Sequence, residues 1–243
     1  IHGDVQIGEG TWIGSNVTIM DGARIGKNCR IFPGAVIAAV PQDLKFEGEL
    51  TTVEIGDNTT IREFVTIHRG TKDRWKTIVG NNCLVMAYSH IAHDCVIGDN
   101  CIMSNNTQIA GHVVMGDYAI LAGMCAVHQF VKIGQYSFIA GGSLVQKDVP
   151  PYIKAGRTPL SYAGINSVGL KRKGFTVEKI NEILDIYRFI YNKGMNTTQA
   201  MDYIEEEFPV TDERDEIVTF IRESGRGIIK RFSKTSIDED LGN

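Results

Sequence analysis

From position 7 to position 145 an aliphatic residue returns at every sixth place. The slots run Ile7, Ile13, Ile19, Ile25, Ile31, Ile37, then Ile55, Ile61, Ile67, Val79, Val85, Ile91 and Ile97. They continue with Met103, Ile109, Met115, Leu121, Val127, Ile133, Ile139 and Val145. Three slots fail, at Asp43, Glu49 and Asp73, and the register resumes unbroken beyond them, so they mark excursions from a regular core. A small or β-branched residue stands two places before the slot, as at Val5, Thr11, Val17, Ala23, Cys29 and Ala35. Gly, Asn or Asp often follows it, as in Ile97-Gly98-Asp99-Asn100. This is a short strand and a tight turn every six residues, with turn residues that tolerate positive φ. Three such units close a triangular coil of 18 residues, and stacked coils make a parallel β-helix. Residues 18 apart then lie one above the other, ~4.8 Å per coil. Periodicity alone does not fix the hand of the winding.

Past Val145 the period stops. Pro150, Pro151 and Pro159 predict an extended connector, and helical spacing follows. Ile180, Ile183, Leu184, Tyr187, Ile190 and Tyr191 share one face of a helix over 176–193. Asn196 and the two threonines after it offer a cap for a second helix ending near Phe208, and Thr211 for a third ending near Ser224. The expected division is therefore a β-helix over 1–149, a connector over 150–175 and a helical domain over 176–243, with a polar, frayed tail from Ser233.

Composition narrows the class. The chain has 243 residues, 43% hydrophobic and 22% charged, with a formal charge of −4, which argues against a general nucleic-acid binder. No apolar run approaches the ~18 residues of a membrane span. The start has no charged-then-apolar leader. It opens on Ile inside the repeat, so an N-terminal segment is expected to be missing. Cys29, Cys83, Cys95, Cys101 and Cys125 all occupy the small-residue slot. They predict buried thiols in a reducing compartment and no disulfides.

The candidate chemistry clusters. His93, Gly111 and Gln129 form one 18-residue column, with His90, Asp94, His112 and His128 beside it. Alone, each histidine would read as an ordinary surface residue; four of the six within about two coils, beside a carboxylate, do not. A neutral imidazole suits proton abstraction near pH 7, and an adjacent Asp94 can fix the tautomer of His93. Gly111, one coil on, leaves its N–H open toward a developing oxyanion. No Ser or Cys lies in a nucleophile motif, so direct attack by a substrate hydroxyl is favoured over a covalent intermediate. The excursion at 40–46 is a polar loop, that at 69–76 is strongly basic, and a third basic cluster spans 169–174.

Several motifs occur in order: Gln42-Asp43-Leu44-Lys45, Ile67-His68-Arg69-Gly70, His90-Ile91-Ala92-His93-Asp94, Ala110-Gly111-His112, Ala126-Val127-His128-Gln129-Phe130, Asp148-Val149-Pro150-Pro151-Tyr152 and Gly169-Leu170-Lys171-Arg172. In this set the chain closely resembles the acyl-[acyl-carrier-protein]:UDP-N-acetylglucosamine O-acyltransferases that open lipid A biosynthesis in Gram-negative bacteria. The resemblance implies a cytoplasmic homotrimer of left-handed β-helices, with sites between subunits and no cofactor or metal. The implied reaction moves an (R)-3-hydroxyacyl chain from acyl carrier protein to the 3-hydroxyl of UDP-N-acetylglucosamine. It makes His93 the general base, Asp94 its orienting partner and the Gly111 N–H the oxyanion donor. Gln42, Asp43 and Lys45 would hold substrate, with His90, His112, His128 and Gln129 lining the same cleft. Asn166, Arg172 and Lys173 match positions for nucleotide phosphate or the pantetheine arm, and Gly141 matches the acyl-chain ruler. The chain departs from the family at Lys173, where arginine is common, and in a divergent, shorter segment after Gly70. Basic side chains near the cleft suit an acidic carrier protein.

Competing readings remain at this level. Within the fold these are the later N-acyltransferase of the same pathway and a variant acylating a 3-amino UDP-sugar. A zinc hydratase would use histidines across the subunit interface, with His90, His93 and His112 as the ligands to propose, and a non-enzymatic assembly module would use none of them.

Overall fold

In a computed structural model, residues 1–192 and 194–232 are described; the tail from Ser233, expected to fray, lies outside them. Strands of two to four residues stack into three parallel sheets that wall a triangular prism. Sheet A runs from Val5–Ile7 to Lys132–Ile133 and sheet C from Thr18–Ile19 to Leu144–Val145, while sheet B begins at Trp12–Ile13. Each coil visits the three in turn. The register is 18 residues wherever the repeat is unbroken, as in Ile78↔Val96, Ile102↔Ile120 and Ile91↔Ile109. It widens to 30 at Ala23↔Val53 and to 24 at Val53↔Thr77, where the two excursions are inserted.

The slot residues fill the prism: Ile19, Ile31, Ile37, Ile61, Ile67, Ile91 and Leu121 are fully buried. Each such side chain is worth roughly 1.5–3 kcal/mol of burial. The cysteines do more than pack. Cys83 Sγ donates to Gly98 O at 3.1 Å, and Cys95, Cys101 and Cys125 repeat this with the carbonyl 15 residues on, at 3.1 to 3.2 Å. Ser89 Oγ does the same to Ser104 O. The small slot therefore supplies a coil-to-coil hydrogen bond as well as a small volume.

The corners turn through residues with positive φ. Asparagine takes this position at Asn28, Asn58, Asn82 and Asn100, as its tolerance of the left-handed region predicts. Elsewhere aromatic rings occupy it and stack at the coil spacing, Phe64 on Tyr88 at 5.1 Å and Tyr118 on Tyr136 at 4.8 Å. Stacking of this kind offsets part of the backbone cost.

The segment expected as an extended connector is more ordered than its prolines suggest. Ile153–Gly156 continues sheet B alongside Phe138–Ile139 and pairs antiparallel with Ser161–Ile165. Helix α1 (Ser167–Arg172) follows, then α2 (Val177–Asn192), α3 (Thr197–Glu207) and α4 (Asp212–Arg222). Prolines are compatible with this because they lie at the ends of the hairpin strands, where no ladder N–H is needed. Asn196 and Thr211 cap α3 and α4 as their sequences predict. The buried Asp148 ties the two parts together: its carboxylate accepts from Lys132 N at 2.7 Å and from Ser224 Oγ at 2.6 Å. Among the described residues no helix is long and apolar enough to cross a membrane.

Candidate active site

Both excursions leave the prism at the same corner, between a sheet C strand and a sheet A strand. Residues 40–51 join Val36–Ala39 to Thr52–Ile55, and residues 69–75 join Thr66–His68 to Lys76–Val79. The next turn at this corner carries His93 and Asp94, the one after carries Gly111 and His112, and the one after that Gln129 and Phe130. Asp94, His112 and Phe130 all hold positive φ there. Two loops thus fold back against a column of histidines.

His93 is buried, and its Nδ1 lies 2.8 Å from Asp94 Oδ2. A carboxylate only accepts, so the ring proton sits on Nδ1 and Nε2 keeps its lone pair. That Nε2 faces Asp43 Oδ2 at 4.0 Å, which brings the first loop over the base. Burial raises the Asp94 carboxyl, but the Thr71 hydroxyl, the His93 ring and the Thr71 N–H outweigh it and hold the group below the ordinary carboxylate range.

Gly111 packs directly beside this pair. A Cβ built there would fall 2.6 Å from His93 Cε1 and 2.8 Å from Nε2, so only glycine admits the ring. Among the described residues nothing accepts from its N–H, while its carbonyl accepts from Phe130 N at 3.2 Å.

His112 stands edge-on to His93 with ring centroids 5.1 Å apart and stacks on Phe130 at 4.5 Å. Its Nδ1 lies 3.1 Å from Asp73 Oδ2 and its Nε2 3.7 Å from Asp94 Oδ2. Burial pushes its pKa down, partly countered by Asp94. A hollow bounded by Arg74, His112, Phe130, Lys132 and Arg226 opens alongside. His90 Nδ1 lies 2.7 Å from Thr66 Oγ1, and burial followed by the His93 charge lowers its pKa.

His68, absent from the sequence candidates, lies edge-on to His90 at 4.6 Å with Nδ1 buried and unpartnered. Burial, then repulsion from His90 and His93, takes its pKa down to about 4. It occupies the same place in its coil as Ala92, Ala110 and His128. Aligning the coils after removing the six extra residues of the second excursion would have found it.

The remaining candidates divide by place. Gln42 and Lys45 are exposed on the first loop, where Asp43 Oδ1 accepts from Lys45 N at 3.0 Å. His128 is exposed, its Nδ1 3.1 Å from Gln129 O. Asn166, Arg172 and Lys173 belong to the corner between sheets A and B. Asn166 caps α1 and donates to Tyr136 O at 2.9 Å, and Lys173 Nζ sits 4.6 Å over the Tyr118 ring. Gly141 is exposed at the third corner, beside Gly123. One protomer therefore does not bring these two groups to His93.

His93, Asp94 and His112 are the one set among the described residues whose donor atoms lie close enough to share a metal ion, within 4.8 Å of one another. His90 is not in that set within one protomer. Asp94 Oδ2 is already engaged by Thr71 Oγ1 at 2.6 Å and by His93.

Comparison with known proteins decides the family. Residues 148–229 match the model described as UDP N-acetylglucosamine O-acyltransferase, domain 2, and residues 4–39 and 76–111 match bacterial transferase hexapeptide repeats. The acyl-[acyl-carrier-protein]–UDP-N-acetylglucosamine O-acyltransferase of Aquifex aeolicus is 59% identical over 197 residues, 81% of this chain and 76% of that protein. The chain belongs to this family. The solved UDP-N-acetylglucosamine acyltransferase of Bacteroides fragilis has a TM-score of 0.89 at 48% identity, covering 95% of this chain and 97% of that one. The Francisella novicida enzyme gives 0.92 at 39% identity over 100% and 96%. The fold is that of the family, a left-handed parallel β-helix carrying a small helical domain.

Proposed function

We propose that this acyltransferase moves an (R)-3-hydroxyacyl chain from acyl carrier protein to the 3-hydroxyl of UDP-N-acetylglucosamine, the first step of lipid A biosynthesis. The observation that carries the mechanism is the buried Asp94–His93 pair beside Gly111, with His93 Nε2 left as the free lone pair. His93 Nε2 takes the proton of the sugar hydroxyl as that oxygen attacks the thioester carbonyl. Asp94 stabilises the imidazolium, and the Gly111 N–H meets the tetrahedral oxyanion. Collapse expels the pantetheine thiolate, which takes the proton back from His93. No bond to the enzyme forms.

Gln42, Asp43 and Lys45 hold the sugar end, with His90, His112, His128 and Gln129 around the cleft. Asn166, Arg172 and Lys173 receive phosphate from the nucleotide or the pantetheine arm, Lys173 as a point charge rather than a bidentate fork. Gly141 ends the acyl groove. Because these groups sit at three different corners of one prism, we place the complete site between copies, in a homotrimer. Five free, buried cysteines support a reducing, cytoplasmic setting.

The test is mass-spectrometric detection of acylated UDP-N-acetylglucosamine from (R)-3-hydroxyacyl carrier proteins of several lengths, with wild type and His93→Ala in parallel. Wild-type product, reduced at least ~10²-fold in the variant, is expected. Product only with a 3-amino UDP-sugar would replace the acceptor. Loss of turnover on metal chelation would move the chemistry to a metal held by His93, Asp94 and His112. Equal product from wild type and variant would remove His93 as the base.

A further inference from the structure

The second excursion reads in the sequence as a basic surface loop, yet its third residue turns inward. Thr71 is buried and grips both oxygens of Asp94: its N–H donates to Oδ1 at 2.9 Å and its hydroxyl to Oδ2 at 2.6 Å. Arg74 N adds a third donor to Oδ1 at 3.2 Å, and Arg74 Nη1 donates to the Asp94 carbonyl at 3.2 Å. Asp94 N in turn donates to Thr77 Oγ1 at 2.8 Å, which holds the backbone at its positive φ.

The grip matters because two imidazoles compete for one oxygen. Asp94 Oδ2 lies 2.8 Å from His93 Nδ1 and 3.7 Å from His112 Nε2. Rotation of the carboxylate about Cβ–Cγ would exchange them. The Thr71 hydroxyl is the donor that holds Oδ2, while the Thr71 and Arg74 N–H groups hold Oδ1, and Asp73, two residues further along the same loop, supplies His112 with a carboxylate of its own at 3.1 Å. We infer that Thr71 is a positioning residue of the acyl transfer, aiming Asp94 at His93 rather than at His112. The inference rests on His93 being the general base. It extends that reading to the loop over 69–75, which reaches His93 through Asp94.

Thr71→Val keeps the side-chain volume and the N–H and removes the hydroxyl; Thr71→Ser keeps the hydroxyl. In steady-state assays with carrier-protein thioester and UDP-N-acetylglucosamine, Thr71→Val is expected to lower kcat by about 10- to 100-fold with both KM values within about twofold of wild type. Thr71→Ser should restore kcat to within about threefold. In an Asp94→Asn background Thr71→Val should cost nothing further, because the group it acts through is already gone. Wild-type kcat in Thr71→Val, a serine variant as poor as valine, or full additivity with Asp94→Asn would each overturn the inference. Proton NMR of the low-field imidazole region supplies a readout independent of turnover. The His93 Nδ1–H signal should shift or broaden in Thr71→Val and return in Thr71→Ser, and an unchanged signal would refute the positioning role. A wild type that turned over no sugar nucleotide would instead count against the proposed reaction.

Discussion

Replacing Gly111 by alanine tests the packing of the base without removing any hydrogen-bonding group. The backbone is not the obstacle, because Gly111 lies outside the left-handed region that resists a side chain. The obstacle is the His93 ring, whose Cε1 would lie 2.6 Å from the new Cβ, where ordinary contact begins at 3.4 Å. The ring must recede by nearly 1 Å, and it has no slack, since Nδ1 is held 2.8 Å from a wholly buried carboxylate. A displacement of about 1 Å at a reacting group costs about 10²-fold, roughly 2.7 kcal/mol of barrier. Gly111→Ala should therefore lower kcat about 100-fold, while the main-chain N–H that would meet the oxyanion is kept. Initial rates by mass spectrometry, with thermal melting of the same preparation, read this directly. Gly3→Ala, where an added Cβ meets nothing within 4 Å, is the control expected to stay at wild-type rate. A Gly111→Ala enzyme within about threefold of wild type would refute the claim that His93 is locked by its neighbours.

Two further outcomes follow from groups buried elsewhere. His68 is charged with difficulty in the fold, its pKa about 4 against an ordinary 6.5, so below 6.5 the unfolded chain binds more protons than the folded one. Stability should fall by about 3 kcal/mol as the pH drops from 6.5 to 4. Denaturant titrations across that window should show a shallower slope in His68→Gln, and an unchanged slope would dismiss His68 as its source. Asp148→Ala strands the Lys132 N–H and the Ser224 hydroxyl, and should cost about 3 kcal/mol, lowering Tm by about 6–10 °C. Ser224→Ala, which leaves the Lys132 contact in place, should cost about 1 kcal/mol; equal losses from both variants would show that Asp148 acts only through Ser224.

The prism was legible because its information is local and repeated. The aliphatic slot, the small residue before it and the turn after it recur often enough that stacking follows from counting. The same counting placed His93, Gly111 and Gln129 in a column and His112 beside them. What it could not supply is where an excursion goes after it leaves the prism. Thr71 carries no periodic signal, and its hold on Asp94 exists only because a loop seven residues long closes over the next coil. The loop's lysine and arginines drew attention to solvent, while its threonine was buried. His68 was hidden differently: six inserted residues shift its count from the histidines above it, so its contact with His90 appears only in the folded register. Asn166 shows the reverse, since its amide closes a helix end within the protomer as well as occupying a position tied to phosphate by resemblance.

The coil-to-coil thiol bonds carry a practical consequence for chemical labelling. All five cysteines face the interior, and burial takes the Cys95 thiol up to about 12, far from the thiolate form that reacts with maleimides or iodoacetamide. A single cysteine introduced at the fully exposed Leu44 on the loop above His93 would therefore be an exposed thiol against five buried ones. A fluorophore or spin label could report on that loop as substrates arrive, without first replacing any of the five residues whose Sγ atoms stitch the coils together.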